Sequence, residues 1–188
     1  MTSIKKAITS LLKGLPDNIT LEELIEYIRE DWEEISKSNA NVITKDNANS
    51  KKTQDIKFKH LKDNFDKIIE KYGKGIVGLE DNWDEEGSKG YDSEIWSRTI
   101  ELLKQILFNL WDKLIDVPIP SILPSPDGSF DLNWETDMFE LLVNIPADTH
   151  ESVSIYGERI GHKEDEIELR LRYELAMPVL MQWLRMIH

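Results

Sequence analysis

Acidic residues between Glu80 and Glu86 come closest, by type and spacing, to a chemical site in this sequence. Five carboxylates, which are ligands that suit calcium or magnesium, lie beside two glycines: Glu80, Asp81, Asp84, Glu85 and Glu86, with Gly87 and Gly90. An EF-hand loop needs ligands at positions 1, 3 and 5 and a glutamate at position 12, but counting from Asp81 gives Trp83 at position 3 and Asp92 at position 12. We therefore predict no dedicated metal site. We expect an ordered loop in which Trp83 fills the interface between a helix and the sheet while the acids face water.

The other reactive residue types form no catalytic arrangement in the sequence. Cysteine is absent, which excludes thiol nucleophiles and cysteine-ligated metals. The four histidines lack the His-x-x-x-His and His-Glu-x-x-His spacings of metal sites, and no glycine-rich phosphate-binding pattern occurs. The sequence thus predicts no catalytic residue and no cofactor, and we expect a protein that is not an enzyme.

Lysines are concentrated between Lys51 and Lys74, with Phe58, Phe65 and Tyr72 among them. Basic side chains interleaved with aromatic ones are one way to bind nucleic acid. Acidic residues also lie among these lysines, and the aromatic residues share one side of a predicted helix, which is typical of a solvated surface over a packed one. Nucleic-acid binding through this stretch is the third hypothesis for function.

Two helices are predicted at the start of the chain, because apolar residues return to one side every three or four positions. The first covers residues 4–15. The second begins at Thr20, whose hydroxyl forms a capping box with Glu23. Residues 38–54 follow, rich in Asn, Lys and Ser, and are expected to form a long mobile loop.

Two further helices are predicted before the apolar period changes. The third has its apolar stripe from Phe58 to Tyr72 and ends at Gly73, a residue suited to the left-handed position after a helix. The fourth has Asp92 as its N-cap, and its stripe runs from Trp96 to Leu114.

After Asp116 the apolar residues alternate, which predicts strands. Strands are expected around residues 130–134, 139–143 and 153–155 and from Glu166 to Tyr173. Short connections imply antiparallel neighbours. The last helix is then expected to begin near Leu175 with Pro178 in its first turn. The alternative is one continuous helix from Glu166 that is kinked at Pro178.

These elements predict an α+β fold of N-terminal helices, a long helix, an antiparallel β-meander of four to five strands and a C-terminal helix. We expect two units: a helical segment, residues 1–75, and an acidic α+β domain, residues 76–188.

Two motifs carry a resemblance to a known group of proteins. A Trp83-Asp84 pair with Gly87 precedes a helix, and Pro-x-Pro-Asp-Gly precedes a strand that ends in Trp; its residues are Pro124, Pro126, Asp127, Gly128, Leu132 and Trp134. Over residues 79–188 the chain resembles small, mostly uncharacterised prokaryotic proteins, some of which lie among accessory, mobile or defence genes. The group usually has glycine where this chain has Glu85 and Ser129, and the resemblance implies a fold more than a function.

The net charge of −13 is concentrated in the second unit. Residues 1–75 hold 14 basic and 13 acidic residues, a net charge of +1, whereas residues 76–188 hold 9 and 23, a net charge of −14. This balance disfavours nucleic acid and anionic membranes as partners. With no long apolar run or signal peptide, we expect a cytoplasmic protein.

The leading hypothesis is a non-enzymatic adaptor, inhibitor or antitoxin/immunity-type protein that binds a basic protein partner through an acidic surface. Exposed tryptophans are natural anchors for such a partner, so the predicted partner-binding residues are Trp83, Asp84, Glu85, Glu86, Trp111 and Trp134. The alternative is a divalent-metal-dependent hydrolase or a calcium-responsive module that uses the carboxylates from Glu80 to Glu86.

Overall fold

A computed structural model describes residues 46–188, and the side chains of residues 50–188. It contains three helices, α1 (Asp46–Ile76), α2 (Ser93–Asp112) and α3 (Tyr173–Ile187), and five strands, β1 (Ser121–Pro124), β2 (Phe130–Glu135), β3 (Phe139–Ile145), β4 (Val153–Arg159) and β5 (His162–Leu171). This arrangement confirms the predicted α+β fold with a C-terminal helix. The first two predicted helices lie outside the described residues.

The five strands form one antiparallel sheet in the order β1-β2-β3-β4-β5, so each strand pairs with the next in sequence. Side chains alternate between its two faces. On β2, for example, Phe130, Leu132 and Trp134 are buried while Asp131 and Asn133 are less so. The predicted meander is therefore confirmed, with β1 and β5 at its edges.

Helices α2 and α3 cover the inner face of the sheet. The Asp92 carboxylate accepts hydrogen bonds from the backbone amides of Glu94 and Ile95 at 2.9 and 3.0 Å, which confirms the predicted N-cap of α2. On α3, the fully buried Trp183 packs over Gly157 of β4 and donates to the Asp165 carbonyl at 3.3 Å. The main core lies between these helices and the inner face.

Helix α1 packs against α2. The ring of Phe65 lies edge-on to Phe108 and Trp111, with centroid distances of 5.3 and 6.4 Å. Phe58 and Ile69 are also buried and belong to the same apolar cluster as the sheet core. The boundary predicted near residue 75 falls at the end of α1, and the division of the chain into two units stays a prediction.

The mobile loop predicted over residues 38–54 is wrong from residue 46 onward, where α1 begins. Residues 50–57 are exposed, so they lack the apolar stripe on which the prediction of a helix depended. Once a helix is anchored by its buried part, each added residue gains a backbone hydrogen bond, and polar residues can extend it. Residues 38–45 lie outside the described part.

Gly73 does not end α1, as was predicted, but lies inside it. A Cβ atom built on Gly73 would lie 3.0 Å from Cζ2 of Trp96, so the glycine serves close packing between α1 and α2. The left-handed glycine occurs further on, at Gly78 with φ +95°. A close helix contact and a C-terminal cap select the same residue type, and the sequence does not distinguish them.

The other two helix boundaries also differ from expectation. Helix α2 ends at Asp112, and Leu114 follows it in a left-handed conformation with φ 61°. This conformation lets the amides of Leu114 and Ile115 donate to the carbonyls of Trp111 and Leu110, respectively.

Residues 166–171 form a strand, so the alternative of one continuous helix from Glu166 is wrong.

Helix α3 begins two residues before the predicted Leu175, at Tyr173, whose hydroxyl donates to the Arg98 carbonyl at 2.7 Å. Pro178 is therefore its sixth residue and lies beyond the first turn. Among the described residues, no helix has the length and apolar character needed to cross a membrane.

Candidate protein-binding surface

The acidic loop from Glu80 to Gly90 satisfies much of its own hydrogen-bonding capacity. The Asp84 carboxylate accepts from the amides of Glu86 and Ser88, at 3.0 and 3.2 Å, and from the Ser88 hydroxyl. These bonds lower the pKa of Asp84, with the Ser88 hydroxyl bond as the largest cause. Asp81 accepts from the Gly90 amide at 2.8 Å. Two of the five carboxylates therefore stabilise the conformation of the loop through these hydrogen bonds.

Trp83 is half-buried and stabilises the same loop. Its indole N–H donates to the Lys89 carbonyl at 3.1 Å, and its ring centroid is 6.3 Å from that of Tyr91. The side chain packs at the margin of the core. Glu80, Glu85 and Glu86 are exposed, as expected.

The loop rests on the turn between β1 and β2, so the two motifs singled out in the sequence contact each other. The Lys89 amide donates to the Pro126 carbonyl at 2.8 Å, the Tyr91 hydroxyl donates to the Ser125 carbonyl, and the Tyr91 and Phe130 rings are 4.8 Å apart. Burial, with nearby carboxylates as lesser causes, raises the pKa of Tyr91 to about 12. These contacts give the motif residues a structural role.

Two of the predicted partner-binding residues, Trp111 and Trp134, are wrong for that role. Each is 1% exposed. Their indole N–H groups donate to the carbonyls of Val117 and Pro118, both at 2.8 Å. Because the rings are enclosed and their polar atoms are satisfied, neither can anchor a partner without unfolding part of the core.

The lysine-rich stretch lies on α1, and three of its eight lysines form ion pairs with acidic residues. Lys57 pairs with Asp116 at 2.6 Å, Lys62 pairs with Asp112, and Lys74 pairs with Glu70 at 2.8 Å. Phe58 and Phe65 are buried beneath them. An open pocket of about 180 Å³ lies here between α1 and α2, lined by Asp55, Phe58, Lys59, Lys62, Trp111 and Asp112. Its charges are of both signs, so it shows no preference for an anionic ligand.

The outer face of the sheet carries a more concentrated set of charges. We call it the acidic face, and it comprises the outward side chains Glu135, Glu140, Leu142, Tyr156, Glu158, Glu166 and Glu168. Glu140 lies directly opposite Glu135 on one neighbouring strand and opposite Glu158 on the other. Three carboxylates therefore form a row across three adjacent strands.

A second row places two partly apolar side chains beside these glutamates. Leu142 pairs with Tyr156, and Tyr156 pairs with Glu168. Leu142 and Tyr156 are each 39% exposed. The Tyr156 hydroxyl donates to the Glu158 carboxylate at 3.0 Å, and this bond is the largest cause of the raised pKa of Tyr156. Charges of Glu158, Glu166 and Glu140 raise that pKa further.

The glutamates of the acidic face form no ion pair with a basic side chain of the described residues. Glu135 accepts a bond from the Asn133 amide at 2.9 Å. Arg170, which pairs with Ser154 further along the sheet, is a basic residue on the same side of the sheet. Like charges directly opposite each other in a sheet are destabilising, so the row of Glu135, Glu140 and Glu158 lowers the stability of the fold.

The acidic face and the acidic loop lie at opposite ends of the sheet. The loop contacts the turn before β2, whereas Glu135 ends β2 and Glu140 begins β3 after the next turn. The structure therefore does not bring Trp83, Asp84, Glu85 and Glu86 to the row of glutamates. The sequence places negative charge on the C-terminal unit but does not reveal this row. Alternation indicates on which face each glutamate lies, whereas its neighbours are set by the strand register, which the alternation does not give.

A third acidic group lies at the start of β5. His162, Glu164 and Asp165 bring ligand atoms within 4.8 Å of one another, and among the described residues this is where three potential metal ligands converge. Arg159 also lies 3.6 Å from the Asp165 carboxylate. The carboxylates from Glu80 to Glu86 do not converge in this way.

Comparison of the chain with protein-family models, curated proteins and solved structures found no match.

Proposed function

We propose that this chain is a non-enzymatic interaction protein whose acidic face binds a basic protein partner. The observation that carries the proposal is the row of Glu135, Glu140 and Glu158 in direct register. Like charges that are held close together on a surface lower the stability of the folded protein. Lysine or arginine side chains of a partner would offset that loss on binding.

The two side chains beside the row support a protein rather than a small cation as the partner. Leu142 and Tyr156 lie next to each other and are partly exposed. Tyrosine is enriched in protein interfaces, where an apolar centre is combined with a polar rim. The proposed role is that of an adaptor or inhibitor, of which an antitoxin or immunity-type protein is one form.

The test is affinity capture from a lysate of the source organism with three forms of the full chain. The first is the wild type and the second carries Glu135→Gln, Glu140→Gln and Glu158→Gln. The control carries Asp63→Asn, Glu101→Gln and Glu151→Gln, which remove the same charge from exposed positions off the acidic face. We expect a stoichiometric basic partner with the wild type and the control. Loss of three exposed ion pairs, at about 0.2–1 kcal/mol each, should weaken capture by the second form by roughly threefold to a hundredfold.

Equal capture by the face variant and the control would contradict the proposal, since it would show that net charge alone attracts the partner. Recovery of no stoichiometric partner at either low or moderate salt would also contradict it.

A further inference from the structure

Strand β5 forms an edge of the sheet that no other described strand covers. It pairs with β4 on one side, and on the other side an edge strand presents backbone N–H and C=O groups that can pair with another chain. The opposite edge is protected, because β1 has four residues and ends at Pro124. Strand β5 has ten residues and no proline, so its edge is the more open of the two.

The two halves of β5 differ in how well they could accept a further strand. Near its start, the pairing with β4 shifts between Gly157 and Arg159, and the side chain of Asp165 is a buried carboxylate. Bulges and inward charges hinder edge pairing. From residue 167 the pairing is regular, and Arg172 continues the extended backbone with φ −59° and ψ 147°. The segment open to pairing is therefore 166–172.

The charges of this segment complement themselves when its direction is reversed. It reads Glu-Ile-Glu-Leu-Arg-Leu-Arg, with two glutamates before the central Leu169 and two arginines after it. We propose that β5 pairs antiparallel with β5 of a second copy of this chain, with Leu169 at the centre. Glu168 then lies opposite Arg170 of the second copy, and Glu166 lies opposite its Arg172. Every charge of the segment meets an opposite charge, which stabilises cross-strand pairs.

The apolar side chains of the segment match in the same register. Ile167 lies opposite Leu171 of the second copy, and Leu169 lies opposite its own counterpart. Leu169 and Leu171 are only half-buried in the single chain, where they pack at the margin of the core. Pairing of the two edges would remove more of their apolar surface from water, which favours association.

Other registers are less favourable. A slip of two residues brings Glu168 opposite Glu168 of the second copy in one direction, and Arg170 opposite Arg170 in the other. A slip of one residue sets outer side chains beside inner ones. Glu166, Glu168, Arg170 and Arg172 form no ion pair with another described residue, so the proposed pairs break none within the described part of the chain.

The dimer has a consequence that rests on the proposed function. A two-fold axis perpendicular to the sheet turns both outer faces to the same side, so one continuous sheet would carry the row of Glu135, Glu140 and Glu158 twice. A partner with two basic sites would bind both rows, and linked binding of this kind raises the overall affinity without any new type of contact.

Dimerisation is tested on the purified full chain by sedimentation velocity over a range of concentrations. We expect the mass of the wild type to approach twice that of the 21.9 kDa chain. Glu168→Arg or Arg170→Glu alone sets like charges opposite each other at two places and should weaken the dimer by roughly fourfold or more. An equimolar mixture of these two variants restores every opposite-charge pair and should dimerise as the wild type does. Asp63→Arg, the same charge change as Glu168→Arg at an exposed position of α1, should have no effect.

Cysteine substitutions test the register, since the chain has no cysteine of its own. Leu169→Cys places two thiols directly opposite each other, with Cα atoms about 4.5–5.5 Å apart, a separation that a disulfide can span. Leu171→Cys places them four residues apart along the strands, at least about 13 Å. With oxidised glutathione as the oxidant, we expect a disulfide-linked dimer on a non-reducing gel from Leu169→Cys and none from Leu171→Cys.

A wild type that stays monomeric at all concentrations would overturn the inference. So would a dimer that both charge variants leave intact, a mixture of the two that stays monomeric, or a disulfide from Leu171→Cys in place of Leu169→Cys. None of these substitutions changes the row of Glu135, Glu140 and Glu158, and the purified chain contains no partner. The dimer and the proposed function can therefore fail separately.

Discussion

Glu85 is a residue whose backbone conformation does not suit its side chain. Its φ of 62° lies in the left-handed region, which costs a residue with a Cβ about 1–2 kcal/mol. Asn82 shares this conformation at φ 67°, but asparagine tolerates it. Glycine would adopt this conformation without strain.

Replacing Glu85 with glycine should therefore stabilise the protein. Relief of the left-handed strain exceeds the entropic cost of glycine, about 0.5–1 kcal/mol, so we expect the free energy of unfolding to rise by about 0.5 kcal/mol. Glu86→Gly removes the same charge from the next position, where φ is not positive, and should lower it. Urea unfolding of both variants provides the measurement, and equal destabilisation by the two would contradict the prediction.

The roles of single residues were predictable where local geometry determines them. The Asp92 cap follows from a short polar side chain before an apolar stripe, and it is confirmed. Trp96 and Trp111 lie about 60° apart on a helical wheel, which predicts that one of them is at the margin of the core. The helical wheel does not show which of the two tryptophans lies at the margin. Packing of Phe65 over Trp111 decides it, since Trp111 is enclosed and Trp96 is half-buried.

Among the elements, α1 depends on a close contact that a single methyl group would disturb. Gly73 lies under the Trp96 ring, where a Cβ would be 3.0 and 3.1 Å from two ring carbons. Gly75, two residues later in the same helix, has no atom within 4 Å of its added Cβ. The two glycines differ in packing while sharing a helical backbone.

Alanine at these two positions should have opposite effects. Gly75→Ala should raise the free energy of unfolding by about 0.5 kcal/mol, because alanine is the better helix former. Gly73→Ala gains the same propensity but forces Trp96 to move, and overpacking costs about 1–3 kcal/mol, so we expect a net loss of about 1 kcal/mol. Thermal or urea unfolding measures both effects. A stabilised Gly73→Ala would show that the ring adapts without cost.

Element types were more predictable than element ends. Alternation identified β2, β3, β4 and β5 because their inner residues are apolar and their outer residues, apart from Leu142, are largely polar. The start of α1 was missed, since its exposed first residues show no such pattern. Apolar periodicity arises where one side of a helix is buried, so an exposed helical turn does not show it.

For the whole molecule, the distribution of charge was predictable but its arrangement was not. The sequence places a net charge of −14 on residues 76–188. The register of three strands then sets Glu135, Glu140 and Glu158 in one row. Register arises from the burial of all the inner residues at once, so no local window of sequence contains it.

Neutralising the middle of this row should stabilise the protein. We expect Glu140→Gln to raise the free energy of unfolding by about 0.5 kcal/mol at low ionic strength, since it removes two opposed like-charge pairs. The gain should shrink at high ionic strength as salt screens the exposed charges. Glu101→Gln on α2, away from the row, serves as the control with the same change in net charge. Equal, salt-independent effects of the two substitutions would contradict the proposed repulsion.

The order of the strands also has a consequence for how the chain folds. Each strand pairs with its neighbour in sequence, so the sheet forms by closing short loops, which keeps contact order low and favours rapid folding. During synthesis β1 to β5 emerge from the ribosome before α3 and can pair one after another in that order. The apolar inner face can therefore form before α3 packs on it, and the apolar side chains that await α3 expose the nascent protein to aggregation.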